Sequence, residues 1–87
     1  MKEAYIEVFS SPGCVGCPTV KKMLKELSED IDGDITVEEV DITEDPTRAA
    51  EYGIMSVPAV VVNGIFKLAG VPSKQELKAS IMEELEE

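Results

Sequence analysis

The stretch Ser10-Ser11-Pro12-Gly13-Cys14-Val15-Gly16-Cys17-Pro18 decides how the rest of the chain is read. Before it, residues 4–9 (AYIEVF) are mostly apolar, aromatic or β-branched, which predicts a largely buried strand. After it, Val20, Met23, Leu24, Leu27 and Ile31 recur at the spacing of one α-helical face, with Lys21, Lys22, Lys25 and Glu26 on the other side. Proline fits without damage only in the first turn of a helix, so Pro18 puts the helix start within or beside the CxxC pair. Two cysteines therefore stand where a strand hands over to a helix N-terminus. The unpaired amides and partial positive charge there favour an anion. A thiolate so placed has a lowered pKa, and the thiolate is the reactive form. The loop exposes Cys14; Cys17 lies about one turn later, beneath it, within disulfide reach.

Working outward, Asp32-Gly33 signals a turn, and residues 35–42 (ITVEEVDI) read as a second strand. Its alternation slips at Glu38-Glu39, which suggests a bulge or an edge position. Asp45-Pro46 reads as an N-cap followed by proline at N1, opening a short helix that runs to about Tyr52 and stops at Gly53. Residues 59–62 (AVVV) form a third strand, Asn63-Gly64 a two-residue hairpin turn, and residues 65–69 (IFKLA) the returning strand. Ser73-x-x-Glu76 is a capping box that opens a last helix with Leu77, Ile81 and Leu85 inward and Met82 beside them. The order is β-α-β-α-β-β-α. That is an α/β domain, residues 1–87, with a mixed four-stranded sheet, a right-handed βαβ crossover and three helices covering both faces. Tyr5, Phe9, Met23, Met55 and Met82 are expected in the core, and Tyr52 at a helix end.

Composition narrows the function. The 87 residues carry 8 basic and 18 acidic side chains, a formal charge of −10, which disfavours nucleic acid and anionic membranes as partners. The acids gather at Glu29, Asp30, Asp32 and Asp34 and at Glu83, Glu84, Glu86 and Glu87, and read as solvated surface. No apolar run is long enough to span a bilayer, and Met1-Lys2-Glu3-Ala4-Tyr5 lacks a signal-like apolar segment. The cytoplasm is the expected location; there a CxxC pair is catalytic or metal-binding more often than a structural staple. With no histidine and only two thiols, a zinc site would need a dimer sharing both pairs. No metal or other cofactor is expected beyond the Cys14–Cys17 disulfide itself.

Four stretches, Pro12-Gly13-Cys14-Val15-Gly16-Cys17, Asp41-Ile42-Thr43-Glu44-Asp45-Pro46, Tyr52-Gly53-Ile54-Met55-Ser56-Val57-Pro58 and Gly70-Val71-Pro72-Ser73, occur in the order found in the thioredoxin/glutaredoxin superfamily, which the chain resembles over nearly its whole length. The resemblance implies a thioredoxin-like fold of glutaredoxin-like length. It implies catalysis by Cys14 and Cys17, a cis Val57–Pro58 bond facing the CxxC, and a substrate groove at Pro12, Gly13, Val15, Val57, Pro58 and Gly70. It further implies a monomer that reduces protein disulfides and draws electrons from a thioredoxin-reductase-type donor.

Departures sharpen this expectation. Thioredoxins carry a buried acid six residues before the first cysteine, where this chain has Val8. A proton acceptor for Cys17 must then come from elsewhere or from water, and Glu39, which by its spacing from Pro46 resembles the position of a lysine near that acid, is a candidate; an exposed strand glutamate is the favoured reading. Glutaredoxins bind glutathione through a basic residue just before the CxxC and a Gly-Gly followed by acids after the last strand. Here Ser10-Ser11 and Ala69-Gly70-Val71-Pro72 stand in those places. The alternatives are thus a glutathione-dependent glutaredoxin, which these absences disfavour, and a non-catalytic, metal-bridged binding module. Lys21 and Lys22 read as a solvated helix face, with thiolate stabilisation the rival role.

Overall fold

A computed structural model describes residues 3–31 and 33–85, so Asp32 of the expected turn and Glu86 and Glu87 of the acidic tail lie outside the described residues. The elements are β1 (Glu3–Ser10), α1 (Cys17–Asp30), β2 (Asp34–Asp41), α2 (Pro46–Glu51), β3 (Ala59–Val62), β4 (Ile65–Ala69) and α3 (Lys74–Leu85). The sheet order is β2-β1-β3-β4, with β1 parallel to β2 and both β1–β3 and β3–β4 antiparallel. This is the expected β-α-β-α-β-β-α mixed sheet.

Alternation along the inner strands makes two cores. Ala4, Ile6 and Val8 of β1 and Val60 and Val62 of β3 face α1, through Val20, Leu24 and Leu27, and α3, through Leu77, Ile81 and Leu85. On the opposite face Phe9, Val40, Ala59 and Val61 pack with Ala49 of α2, and Ile42, Tyr52, Ile54 and Val57 close round them. Phe9 and Tyr52 meet edge to face, ring centres 5.9 Å apart. The local signals work as read. Ser73 Oγ accepts from the Glu76 amide at 3.1 Å while Glu76 Oε1 accepts from the Ser73 amide at 3.0 Å. Asn63 and Gly64 take φ values of 52° and 80° in the hairpin turn. Asn63 also ties that turn to β1, its Oδ1 accepting from the Tyr5 amide at 2.8 Å.

One alternative is decided and two expectations change. β2 pairs with β1 without a register break, so the slip at Glu38-Glu39 reflects the edge position rather than a bulge. The irregularity lies in β3–β4, where Lys67 is the extra residue between the Val60–Leu68 and Val61–Phe66 pairs; it points its ammonium at Glu84 (2.9 Å) and Glu83 (3.4 Å) of α3. Tyr5 is 41% exposed rather than core, because six-residue α2 packs around Phe9 and leaves the face near the start of β1 open. Met55 is 98% exposed, projecting from the loop between α2 and β3, whereas Met23 and Met82 pack on the core as expected.

The α2 face also buries a charge that the sequence reading did not single out. Glu7 is only 4% exposed and stands directly opposite Glu38 in the parallel register. Arg48 of α2 bridges them, donating to both Glu38 oxygens at 3.1 Å and to Glu7 Oε2. Tyr52 Oη donates to Glu7 Oε1 at 2.9 Å, and Tyr5 Oη donates to Glu38. The hydrogen bond to Arg48 holds the Glu38 carboxyl below its ordinary value, and the bond to Glu7 pushes the Tyr52 hydroxyl up.

Two outcomes follow for stability. Because the Glu38 pKa is depressed on folding, its contribution is complete above its ordinary value of 4.5 and is lost as pH falls through the folded value. Urea unfolding across that range should show the loss, and Glu38→Gln should flatten the acid limb; an equally steep limb in the variant would contradict the linkage. Leu24→Ala, removing a fully buried side chain between α1 and β1, should lower unfolding free energy by about 2–5 kcal/mol in the same assay.

Candidate functional site

At the C-terminal end of β1 the chain turns through Ser11–Gly13 and enters α1 at Cys17. The Cys14 amide donates to the Ser11 carbonyl at 3.2 Å, which closes the turn. Gly16 caps the helix without a side chain, and Pro18 occupies its first turn, as the sequence required. Cys14 and Cys17 are joined as a disulfide with Cα atoms 5.5 Å apart. Cys17 is buried at 2% exposure, whereas Cys14 is half-buried. The Cys17 amide, the first of the helix, donates to Cys14 Sγ at 3.2 Å. That bond aims the positive end of α1 at one sulfur, the outer one.

Three other segments complete the rim. The Val57–Pro58 peptide is cis and Pro58 is buried. The Gly70 amide donates to the Pro58 carbonyl at 2.8 Å, locking the end of β4 to the start of β3. A Cβ on Gly16 would come within 2.5 Å of Val71 Cγ2 and 3.6 Å of Pro58 Cδ, so the CxxC, the cis-proline loop and the β4–α3 loop meet at this glycine. Pro12, Gly13 and Val15 stand exposed beside the sulfurs, Val15 at 93%. Val57 packs against the Phe9 core while Val71 is 53% exposed. Val15 and Val71 give the site an apolar rim, and Met55 projects from the loop that leads to the cis proline. Met55 escaped the sequence reading because an exposed methionine and a core methionine look alike in one sequence.

Val8, at the position of the family's buried acid, is fully buried among the apolar side chains under α1 and α3. The nearby buried acid, Glu7, points to the other face of the sheet because neighbours on a strand alternate. Glu39 is an exposed strand residue, its side chain 64% accessible and its Oε1 3.2 Å from Lys21 Nζ. Among the described residues no group of three or more His, Cys, Asp or Glu side chains is placed to hold a metal ion. The centre can cycle between a disulfide and a dithiol with one sulfur presented and one held beneath.

Comparison with known proteins agrees with this geometry. The family model described as thioredoxin domain matches residues 4–82. The chain is 42% identical over 93% of its length to a protein named "Probable Thioredoxin" from Methanothermobacter thermautotrophicus, covering 95% of that protein. It is 38% identical over 98% of its length to one named "Thioredoxin" from Methanocaldococcus jannaschii, covering all of it. A solved structure of a single-substitution mutant thioredoxin from Halobacterium salinarum superposes with a TM-score of 0.82 at 24% identity, covering 97% of this chain and 76% of that one. At that identity the last likeness speaks for the fold.

Gly16 gives a direct test of how tightly the three segments meet. Gly16→Ala should destabilise the oxidised protein by about 1–3 kcal/mol through the clash with Val71. Val71→Ala in the same chain should recover most of that loss. Additive effects in the double variant, measured by chemical unfolding, would show that the two residues are not coupled.

Proposed function

The chain belongs to the thioredoxin domain family, and from that premise we propose that it is an oxidoreductase that reduces disulfides of protein substrates through Cys14 and Cys17. The observation that carries the proposal is the Cys17 amide directed at Cys14 Sγ. On reduction the same donor and the helix N-terminus stabilise a thiolate on Cys14, the better exposed of the two sulfurs.

The reaction then runs as two displacements. The Cys14 thiolate attacks one sulfur of the substrate disulfide; a Cys14–substrate bond forms, the substrate S–S bond breaks, and the other substrate sulfur leaves as thiolate. Cys17 loses its proton, attacks Cys14 Sγ, closes the Cys14–Cys17 disulfide and expels the second substrate thiolate. Two electrons have passed to the substrate, and the protein stands in its oxidised, disulfide-bonded form. A thioredoxin-reductase-type donor returns the electron pair. Pro12, Gly13, Val15, Val57, Pro58 and Gly70 form the groove that receives an extended substrate segment, with apolar contacts at the rim and backbone groups beside the cis proline. The Val15 side chain, almost fully exposed, is available for such contacts. The working compartment in this reading is the cytoplasm, where thiols are kept reduced. Among the described residues no helix is long and apolar enough to cross a membrane.

Cys14→Ser should abolish reduction of a protein disulfide such as that of insulin. Cys17→Ser should accumulate a covalent adduct, visible by mass spectrometry and released by a small thiol. Full reductase activity in Cys14→Ser would overturn the role assignment. Reduction of the oxidised protein by glutathione but by no thioredoxin-reductase system would move the donor to the glutathione class.

A further inference from the structure

α1 is balanced overall, Lys21, Lys22 and Lys25 against Glu26, Glu29 and Asp30, but its lysines gather toward one side. A groove of about 420 Å³ runs between α1 and the edge strand β2, lined by Lys21, Lys22, Lys25, Ser28, Val37 and Glu39. Arg48, Lys67 and Lys74 are each matched by two or more carboxylates. In the groove, among the described residues, only Lys21 is matched, by Glu39. Lys22 and Lys25 stand exposed and, like Lys78 of α3, make no direct ion pair among the described residues, although Glu26 and Glu29 follow the two groove lysines at one helical turn. Lys21, Lys25 and Ser28 follow one stripe of α1, at rises of about 6 and 10 Å from the first to the second and third.

We infer that this groove docks an acidic segment of a protein that exchanges disulfides with Cys14. The inference rests on the proposed disulfide exchange and adds a second contact to it. Charge complementarity selects the occupant. A chain carrying several carboxylates can address ammonium groups spread along two turns of helix, and the apolar floor at Val37, 36% exposed, suits its backbone or a small side chain. A single small anion cannot address ammonium groups that are spread along more than one turn of helix at once. Lys21 lies one turn from Cys17, so a segment held here approaches along the helix that carries the reactive pair. The net charge of −10 repels acidic partners at a distance, so a contact at these lysines orients their approach as well as strengthening it.

The test uses the intact chain and a fluorescently labelled hexaglutamate peptide, with hexaglutamine as control, followed by anisotropy. The glutamate peptide should bind and the glutamine peptide should not. Lys22→Glu/Lys25→Glu should weaken binding by about tenfold or more, as should raising salt from about 0.02 M to about 0.2 M. No binding of hexaglutamate at low salt, or equal binding by the charge-reversed variant with a native circular dichroism spectrum, would overturn the inference. Displacement of the peptide by inorganic phosphate at equal concentration would overturn the assignment to a chain segment. Reduction of the uncharged bis(2-hydroxyethyl) disulfide by the same preparation reports the dithiol alone. Its failure would indict the thiol chemistry, whereas its success beside absent peptide binding would indict only the groove.

Discussion

The hydrogen bond from the Cys17 amide to Cys14 Sγ is the contact that the rest of the molecule is arranged to hold. It exists only if α1 begins at Cys17, and several unrelated residues enforce that start. Pro18 is compatible with the first turn and no later one. Gly16 lets the chain pass under Val71 and beside Pro58 where any side chain would collide. The Ser11 carbonyl draws back the Cys14 amide. Behind them, Val20, Leu24 and Leu27 pin α1 to the apolar face of β1, which fixes where the helix end lies relative to the strand end.

The two faces of the sheet are stabilised by different physics. Under α1 and α3 the buried cluster is wholly aliphatic, so the redox pair stands on an apolar base, and Val8 belongs to that base rather than to proton chemistry. Under α2 the apolar cluster is smaller and is supplemented by Glu7, Glu38, Arg48 and the two tyrosine hydroxyls. A six-residue helix has too few turns to persist by itself. Its hold on the sheet comes from Ala49, Tyr52 and Arg48, all of them contacts made at a distance along the chain.

That division explains what could be read from the sequence. Element order, the CxxC at a helix start, the Ser73–Glu76 box and the Asn63-Gly64 turn were legible because each depends on residues within a few positions of one another. The cis bond before Pro58 was legible only through family resemblance. Glu7, Tyr5 and Met55 were not legible, because their environments depend on how far a short helix and a loop extend over a sheet face. A glutamate inside an apolar strand could have been flagged by asking which cation neutralises it, but Arg48 is forty-one positions away. The bulge at Lys67 was missed for a similar reason, since the glutamates that its side chain meets stand on α3.

The facing carboxylates of Glu7 and Glu38 carry a consequence for cooperativity. Two like charges in register across a parallel pair repel, and the guanidinium between them, helped by the Tyr5 and Tyr52 hydroxyls, makes the alignment favourable. Lifting α2 away therefore does more than expose its own few apolar atoms: it leaves two anions face to face in the middle of the β1–β2 ladder. The short helix and the strand pair are thermodynamically one unit of opening, so amide exchange along β2 registers the loss of the helix that follows it in the chain.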